Sequence, residues 1–173
     1  MSKLIGFLIP LLLLVTSVTA QSDDTWVRLA PTGGGFAVMV PGKAEEQSFN
    51  KEEIFKSKIY TVILKNGSDG RAIYLAGFGD YAASVKIDPQ AELNANRDNF
   101  IKELPGTRLL ESHTITLDGR PGIEFTGDSD RATVTCRFYV AGNRVFQLAA
   151  MVFKGVDEKK NVNRFFDSFA FTN

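Results

Sequence analysis

Residues 131–152, RATVTCRFYVAGNRVFQLAAMV, decide the architecture. Ala132, Val134, Cys136, Phe138 and Val140 alternate with Arg131, Thr133, Thr135, Arg137 and Tyr139. This period of two lays one strand face on a core and leaves the other polar. Gly142-Asn143 follows, two residues that tolerate positive φ, so the chain turns and 144–152 returns as a hairpin partner. On the return strand Phe146, Leu148, Ala150 and Val152 share one face, while Val145, Ala149 and Met151 share the other. Apolar residues on both faces predict a central strand with layers packed above and below it.

The same two-sided apolar character recurs at 36–40 and 72–78, and further strands are expected at 26–30, 59–64 and 109–117. Asp118-Gly119-Arg120-Pro121 reads as a turn, with a return strand at 122–126. One helix begins with Asp88 as cap and Pro89 as first residue, where the missing N–H costs nothing, and Pro105-Gly106 stops it. Its stripe is Leu93, Arg97, Phe100, Ile101 and Leu104, with Arg97 at the border keeping its charge in water. A second helix, capped near Asp157, aligns Val162, Phe165, Phe166 and Phe169 to cover the sheet. The polar segment 43–58 reads as a mobile excursion and 21–24 as a flexible end. The expected fold is α+β: a single-domain α/β/α sandwich whose mainly antiparallel central sheet has about six to eight strands flanked by helices.

Residues 1–20 place the protein. Lys3 precedes the apolar run 4–15, and Val18-Thr19-Ala20 supplies small residues for signal-peptidase cleavage. The run is shorter than the roughly 20 residues needed to cross a bilayer, and Pro10 interrupts it. A cleaved signal peptide at 1–20 and a single mature domain at 21–173 are therefore expected, periplasmic or secreted, with no stable membrane insertion after cleavage. Twenty Lys and Arg balance twenty Asp and Glu, so the charge favours neither nucleic acid nor an anionic surface. The single Cys136 forms no internal disulfide and lies too far from the leader to accept a lipid, so the core, with 14 Phe, must carry the stability. Asn66-Gly67-Ser68, formally a glycosylation acceptor, reads as a turn.

Each residue with chemical potential has a structural reading beside the functional one. His113, the single histidine, shares a strand face with Glu111, and a histidine–carboxylate pair could do acid–base work. No third partner is evident, and a cross-strand surface pair is the better reading. Cys136 could serve as a nucleophile with Arg137 beside it, but neighbouring strand residues point to opposite faces, so a buried thiol is expected. Gly33-Gly34-Gly35 precedes a strand rather than the helix that a phosphate loop requires, and is read as a loop or hairpin. Asp128-Ser129-Asp130 and Asp69-Gly70 lack the spacing of a calcium loop and are read as turns. Lys154, Lys159, Lys160 and Arg164 could meet an acidic partner, or form a solvated helix face. Trp26 could line a ligand cleft or belong to the core. No catalytic, cofactor-binding or metal-ligating residue is assigned, and no cofactor is expected.

Trp26, then 35–42 (GFAVMVPG), 117–125 (LDGRPGIEF), 137–140 (RFYV) and 165–169 (FFDSF) make an ordered series. In it the chain resembles exported bacterial domains of the PsbP-like superfamily. The resemblance rests on turn residues, strand hydrophobics and a helix stripe. It implies an α/β/α sandwich and, from the better known members, a role as adaptor or assembly protein: one is a lumenal subunit of photosystem II, another a partner of a nuclear-transport GTPase. The function expected is an exported non-catalytic protein-interaction or assembly module of the cell envelope, with an unidentified envelope or extracellular protein as partner. A carrier of a small apolar or amphipathic ligand is the alternative, and a hydrolase-like enzyme the third reading.

Overall fold

The computed structural model describes residues 25–51 and 54–172; the expected leader and the segment 21–24, expected to be flexible, lie outside them. The chain runs β1 (Val27–Leu29), β2 (Phe36–Val40), β3 (Glu45–Lys51), β4 (Phe55–Asn66), β5 (Asp69–Tyr81), α1 (Pro89–Glu103), β6 (Arg108–Leu117), β7 (Arg120–Asp128), β8 (Ala132–Ala141), β9 (Arg144–Phe153), α2 (Lys159–Asp167) and β10 (Ala170–Phe171). Seven strands form one antiparallel sheet in the order β3-β4-β5-β9-β8-β7-β6, and β1-β2-β10 form a small second sheet. The fold is α+β in one domain.

The hairpin read from 131–152 is the centre of this sheet, with β9 paired to β5 on one side and β8 on the other. Its alternation sorts the core into two layers. Val134, Cys136, Phe138, Val140, Val145 and Ala149 pack with Leu93 of α1 and with Leu104 just past its end. Tyr74, Phe78, Phe146 and Leu148 pack with Phe165 and Phe166 of α2 and with Phe36, Val38 and Val40 of β2. The strand at 36–40 is thus the middle of the small sheet rather than a member of the large one. Its apolar character comes from wedging between the main sheet and the chain's end: the Phe36 ring stacks 5.8 Å from Phe169 and meets Phe146 edge-on.

Three local readings change. Within the segment 43–58 the described residues are not an excursion: Glu45–Lys51 forms edge strand β3 and β4 already begins at Phe55, because the long β4 offers a complete ladder from Lys51↔Phe55 to Glu45↔Thr61. Gly142 takes the left-handed conformation (φ 59°) but Asn143 does not; its Nδ2 instead donates to the carbonyls of Ala82 and Val85, both at 3.0 Å, tying the loop before α1 to the hairpin tip. Strand β7 begins at Arg120, before Pro121. Proline is tolerated there because the β7–β8 ladder starts only at Gly122, so no bond to β8 is lost.

Helix α1 is capped as read, with Asp88 Oδ1 accepting the N–H of Ala91 at 2.8 Å. At α2, Asp157 Oδ1 accepts the N–H of Lys159 at 3.1 Å. Phe169 lies just past the end of α2, stacked flat on Tyr139 at 5.6 Å.

Candidate functional site

The α2-side face of the main sheet is apolar over β4, β5 and β9 and turns polar toward β6. Asp118 (φ 50°) and Gly119 (φ 73°) make a two-residue turn closed by Leu117↔Arg120, which fixes the β6–β7 register and places His113 opposite Glu124. Glu124 in turn lies opposite Arg137 of β8. The carboxylate binds both neighbours: Oε1 is 3.0 Å from His113 Nε2, and Oε2 accepts from Arg137 Nε. The guanidinium of Arg137 lies 4.9 Å over the Phe166 ring, anchoring the row to α2.

Two further pairs extend the row. Thr126 Oγ1 donates to Glu111 Oε1 at 3.3 Å, so Glu111 does not pair with His113 as the shared face suggested; the opposing strand sits nearer than a residue two places along. Lys154 Nζ donates to Asp128 Oδ1 at 2.5 Å and Thr133 Oγ1 donates to it at 2.6 Å. The Lys154 bond first, then the Thr133 bond, hold the Asp128 carboxyl below the usual carboxylate range.

This row ends at an open edge. Strand β6 is the outer strand of the sheet, exposed from Arg108 through Thr114, with Leu109 41% and Leu110 53% exposed. A bulge leaves Leu110 out of register between Leu109↔Gly127 and Glu111↔Thr126. Beyond it, Glu111 to Leu117 run as regular strand without Lys, Arg or Pro. The opposite edge, β3, carries Glu45, Glu46 and Lys51, charges of the kind that keep edges from pairing.

The remaining candidates are placed elsewhere and do not converge. Cys136 is fully buried beneath α1, where burial pushes its thiol well above the usual range. Gly33-Gly34-Gly35 loops between β1 and β2, with Arg144 Nη1 donating to the Gly33 carbonyl at 2.9 Å. Asp69 pairs with Asn66 across the Gly67-Ser68 turn. Among the described residues no group of three or more His, Cys, Asp or Glu is placed to hold a metal ion. The basic set splits: Lys154 goes to Asp128, and Arg164 lies 4.5 Å over the ring of Trp26, which meets Tyr74 edge-on at 6.3 Å. Trp26 thus packs at the rim of the α2-side core. A depression of about 440 Å³ beside α2 is lined by Asp157, Glu158, Lys159 and others of the same segment, with no opposing wall from another element.

Sequence reading missed two groups. Glu124 and Arg137 could have been found by counting back from the Asp118-Gly119 turn, which pairs 113 with 124. The buried polar side chains gave no such signal. Glu158 is buried against Arg71, with Tyr74 Oη donating to it at 3.0 Å and Asn161 Nδ2 at 2.8 Å. Glu92 of α1 accepts from Tyr81 Oη at 2.6 Å and Asn96 Nδ2 at 2.8 Å. Burial first, then the neighbouring carboxylate, raise the hydroxyls of Tyr74 and Tyr81 above the usual tyrosine range.

Against solved structures, the cyanobacterial PsbP (CyanoP) of Synechocystis sp. PCC 6803 superposes with a TM-score of 0.56 at 7% identity, over 91% of this chain and 99% of that one. The fold is PsbP-like. Two looser matches accompany the PsbP-like one. LpqN of Mycobacterium tuberculosis, described as involved in cell envelope biogenesis, gives a TM-score of 0.47 at 17% identity over 91% and 83% of the two chains. A Bacteroides thetaiotaomicron protein gives 0.39 at 15% over 84% and 48%. No family model and no curated protein matches the sequence. At such identities the PsbP-like likeness speaks to fold and not to activity. Among the described residues no helix is long and apolar enough to cross a membrane.

Proposed function

We propose that this protein is an exported, non-catalytic interaction module of the cell envelope, and that it docks through the outer edge of β6. The observation that carries the reading is the regular stretch Glu111 to Leu117, which ends one side of a seven-stranded sheet without a Lys, Arg or Pro to block pairing. Unpaired strand edges recruit partners by main-chain hydrogen bonding, with side chains of alternate residues setting selectivity. Here His113 and Glu111 would supply the polar contacts and Leu109 and Leu110 the apolar ones.

Two properties of the polar row support recognition over acid–base chemistry. The Glu124 carboxylate is shared between His113 and Arg137, and the His113 side chain is 53% exposed. A ligand carrier needs an enclosed apolar space; between α2 and the sheet, that space is filled by Phe165, Phe166 and Phe169 packed on Tyr74 and Tyr139. The leader at 1–20 supports export.

The test is a photo-crosslinking residue placed at Thr114 on β6 and, as control, at Asn163 on the exposed side of α2, in cells of the producing organism. An adduct in the envelope fraction from position 114 and none from 163 is the expected result. Adducts from 163 with none from 114 would remove β6 as the docking edge, and a full-length chain retaining residues 1–20 in the cytoplasm would remove export.

A further inference from the structure

Resting on β6 as the docking edge, we infer that its partner is a second copy of this chain, paired antiparallel about a two-fold axis at Thr114. The regular part of β6 is bracketed by the Leu110 bulge and the Asp118-Gly119 turn. It runs from Glu111 to Leu117, and its midpoint is Thr114. An antiparallel partner that uses the whole stretch must therefore place Thr114 opposite Thr114, Ser112 opposite Thr116, His113 opposite Ile115 and Glu111 opposite Leu117.

The backbone supports the same centre. A two-residue turn closes on a hydrogen-bonded pair, here Leu117↔Arg120, and hydrogen-bonded and non-bonded pairs then alternate along an antiparallel ladder. Leu117, Ile115, His113 and Glu111 thus spend their N–H and C=O groups on β7, while Thr116, Thr114 and Ser112 direct theirs outward. In the two-fold arrangement those three residues pair only with one another, so every outward group finds a partner. Any other centre either runs into the bulge or leaves part of the stretch unpaired.

Side chains and charge agree. On the α1-side face the pairing builds a ladder of hydroxyls, Ser112–Thr116, Thr114–Thr114 and Thr116–Ser112, a favourable cross-strand combination. At each end the chain carries Arg108 and Glu111 before the centre and Asp118 and Arg120 after it. The two-fold axis brings these ends together, setting Arg108 of one copy alongside Asp118 of the second and Glu111 in the same row as the second copy's Arg120. Like charges do not face each other in this register. Exposed Leu109 and Leu110 come against the turn of the second copy, which shelters them from water.

The test uses the mature protein in solution and three sets of variants. Light scattering on a size-exclusion column should show a dimer across micromolar to millimolar concentrations. Thr114→Pro removes an outward N–H without touching the β7 ladder, and should give a monomer with an unchanged circular dichroism spectrum. Thr114→Cys should form a disulfide-linked dimer on oxidation, because residues facing each other in a hydrogen-bonded pair lie about 5.5 Å apart between Cα atoms, within disulfide reach. Thr116→Cys alone should not, whereas Ser112→Cys with Thr116→Cys should. A monomeric wild-type protein together with no disulfide dimer from Thr114→Cys overturns the inference. The crosslinker at Thr114 separates the two levels: an adduct of twice the chain mass supports self-pairing, an adduct with a different protein keeps β6 as docking edge but overturns self-pairing, and no adduct removes both.

Discussion

Oε1 of Glu124 lies 3.0 Å from Nε2 of His113, across a ladder whose register is set by a turn at Asp118-Gly119. Both side chains are partly open to water, 53% for His113 and 21% for Glu124, so solvent screens their attraction. His113→Ala should change the free energy of unfolding by less than about 1 kcal/mol. Arg137→Ala should cost more, about 1–2 kcal/mol, because it also strips a cation and its apolar stem from Phe166. Urea unfolding of the two variants checks the order; a larger loss for His113→Ala would show that the imbalance in packing does not govern this row.

Asp128 gives the protein an acid-sensitive contact. Its carboxyl is held below the usual range in the folded state, so the stabilisation is present above the unfolded-state value, about 3.9, and is lost as pH falls through the lower folded-state value. Thermal unfolding followed from neutral pH downward should show the wild type losing midpoint in that acidic window and Asp128→Asn losing less. Equal slopes in the two proteins would contradict the assignment.

The thiol of Cys136 should be silent in the native protein. It is fully buried and its ionisation is pushed up by burial, so a disulfide reagent near pH 8 meets neither access nor thiolate. Labelling should be absent on the native protein over minutes and complete in denaturant, and its slow native rate should track opening of the layer beneath α1. Prompt native labelling would mean that α1 leaves the sheet readily.

Gly79 is sterically required. A Cβ there would clash with the Cζ end of the Phe55 ring, which lies across β5 at that point and meets Tyr81 edge-on at 4.8 Å. Gly79→Ala should destabilise by about 1–3 kcal/mol, and Phe55→Leu should recover part of the loss in the double variant. Additive losses in that cycle would place the strain elsewhere.

Glu158 should matter more than any surface ion pair. It is 3% exposed and accepts from Tyr74 and Asn161 as well as pairing with Arg71. Glu158→Ala should cost about 3–5 kcal/mol, the range for breaking a buried pair, and chemical denaturation measures it directly. A loss below about 1 kcal/mol would show that water replaces the carboxylate.

Legibility in the sequence followed periodicity. Residues 131–152 announce their own faces, and the structure divides those faces between α1 and α2 as their alternation requires. Asp88-Pro89 likewise marked a helix start, because a cap is local chemistry. Residues 45–51 could not announce themselves: EEQSFNK becomes a strand through the ladder that β4 offers, a property of its partner. The His113–Glu124 contact needed a turn type before it could be counted. Glu92, Asn96 and Glu158 were hidden for another reason, since a buried polar residue on or capping a helix has the same letter as an exposed one, and only its three-dimensional neighbours make it interior.

The small sheet joins the two ends of the fold. Ala170↔Ala37 and Phe171↔Phe36 pair β10 with β2, and the N–H of Thr172 reaches the Gly35 carbonyl at 3.0 Å. The layer containing Phe36, Phe146 and Phe169 is therefore completed only when residues 169–172 have arrived. A chain still emerging holds this aromatic cluster unfinished until that segment follows, so the interval before it does is a period of exposure to aggregation, and the window in which a holding chaperone would act.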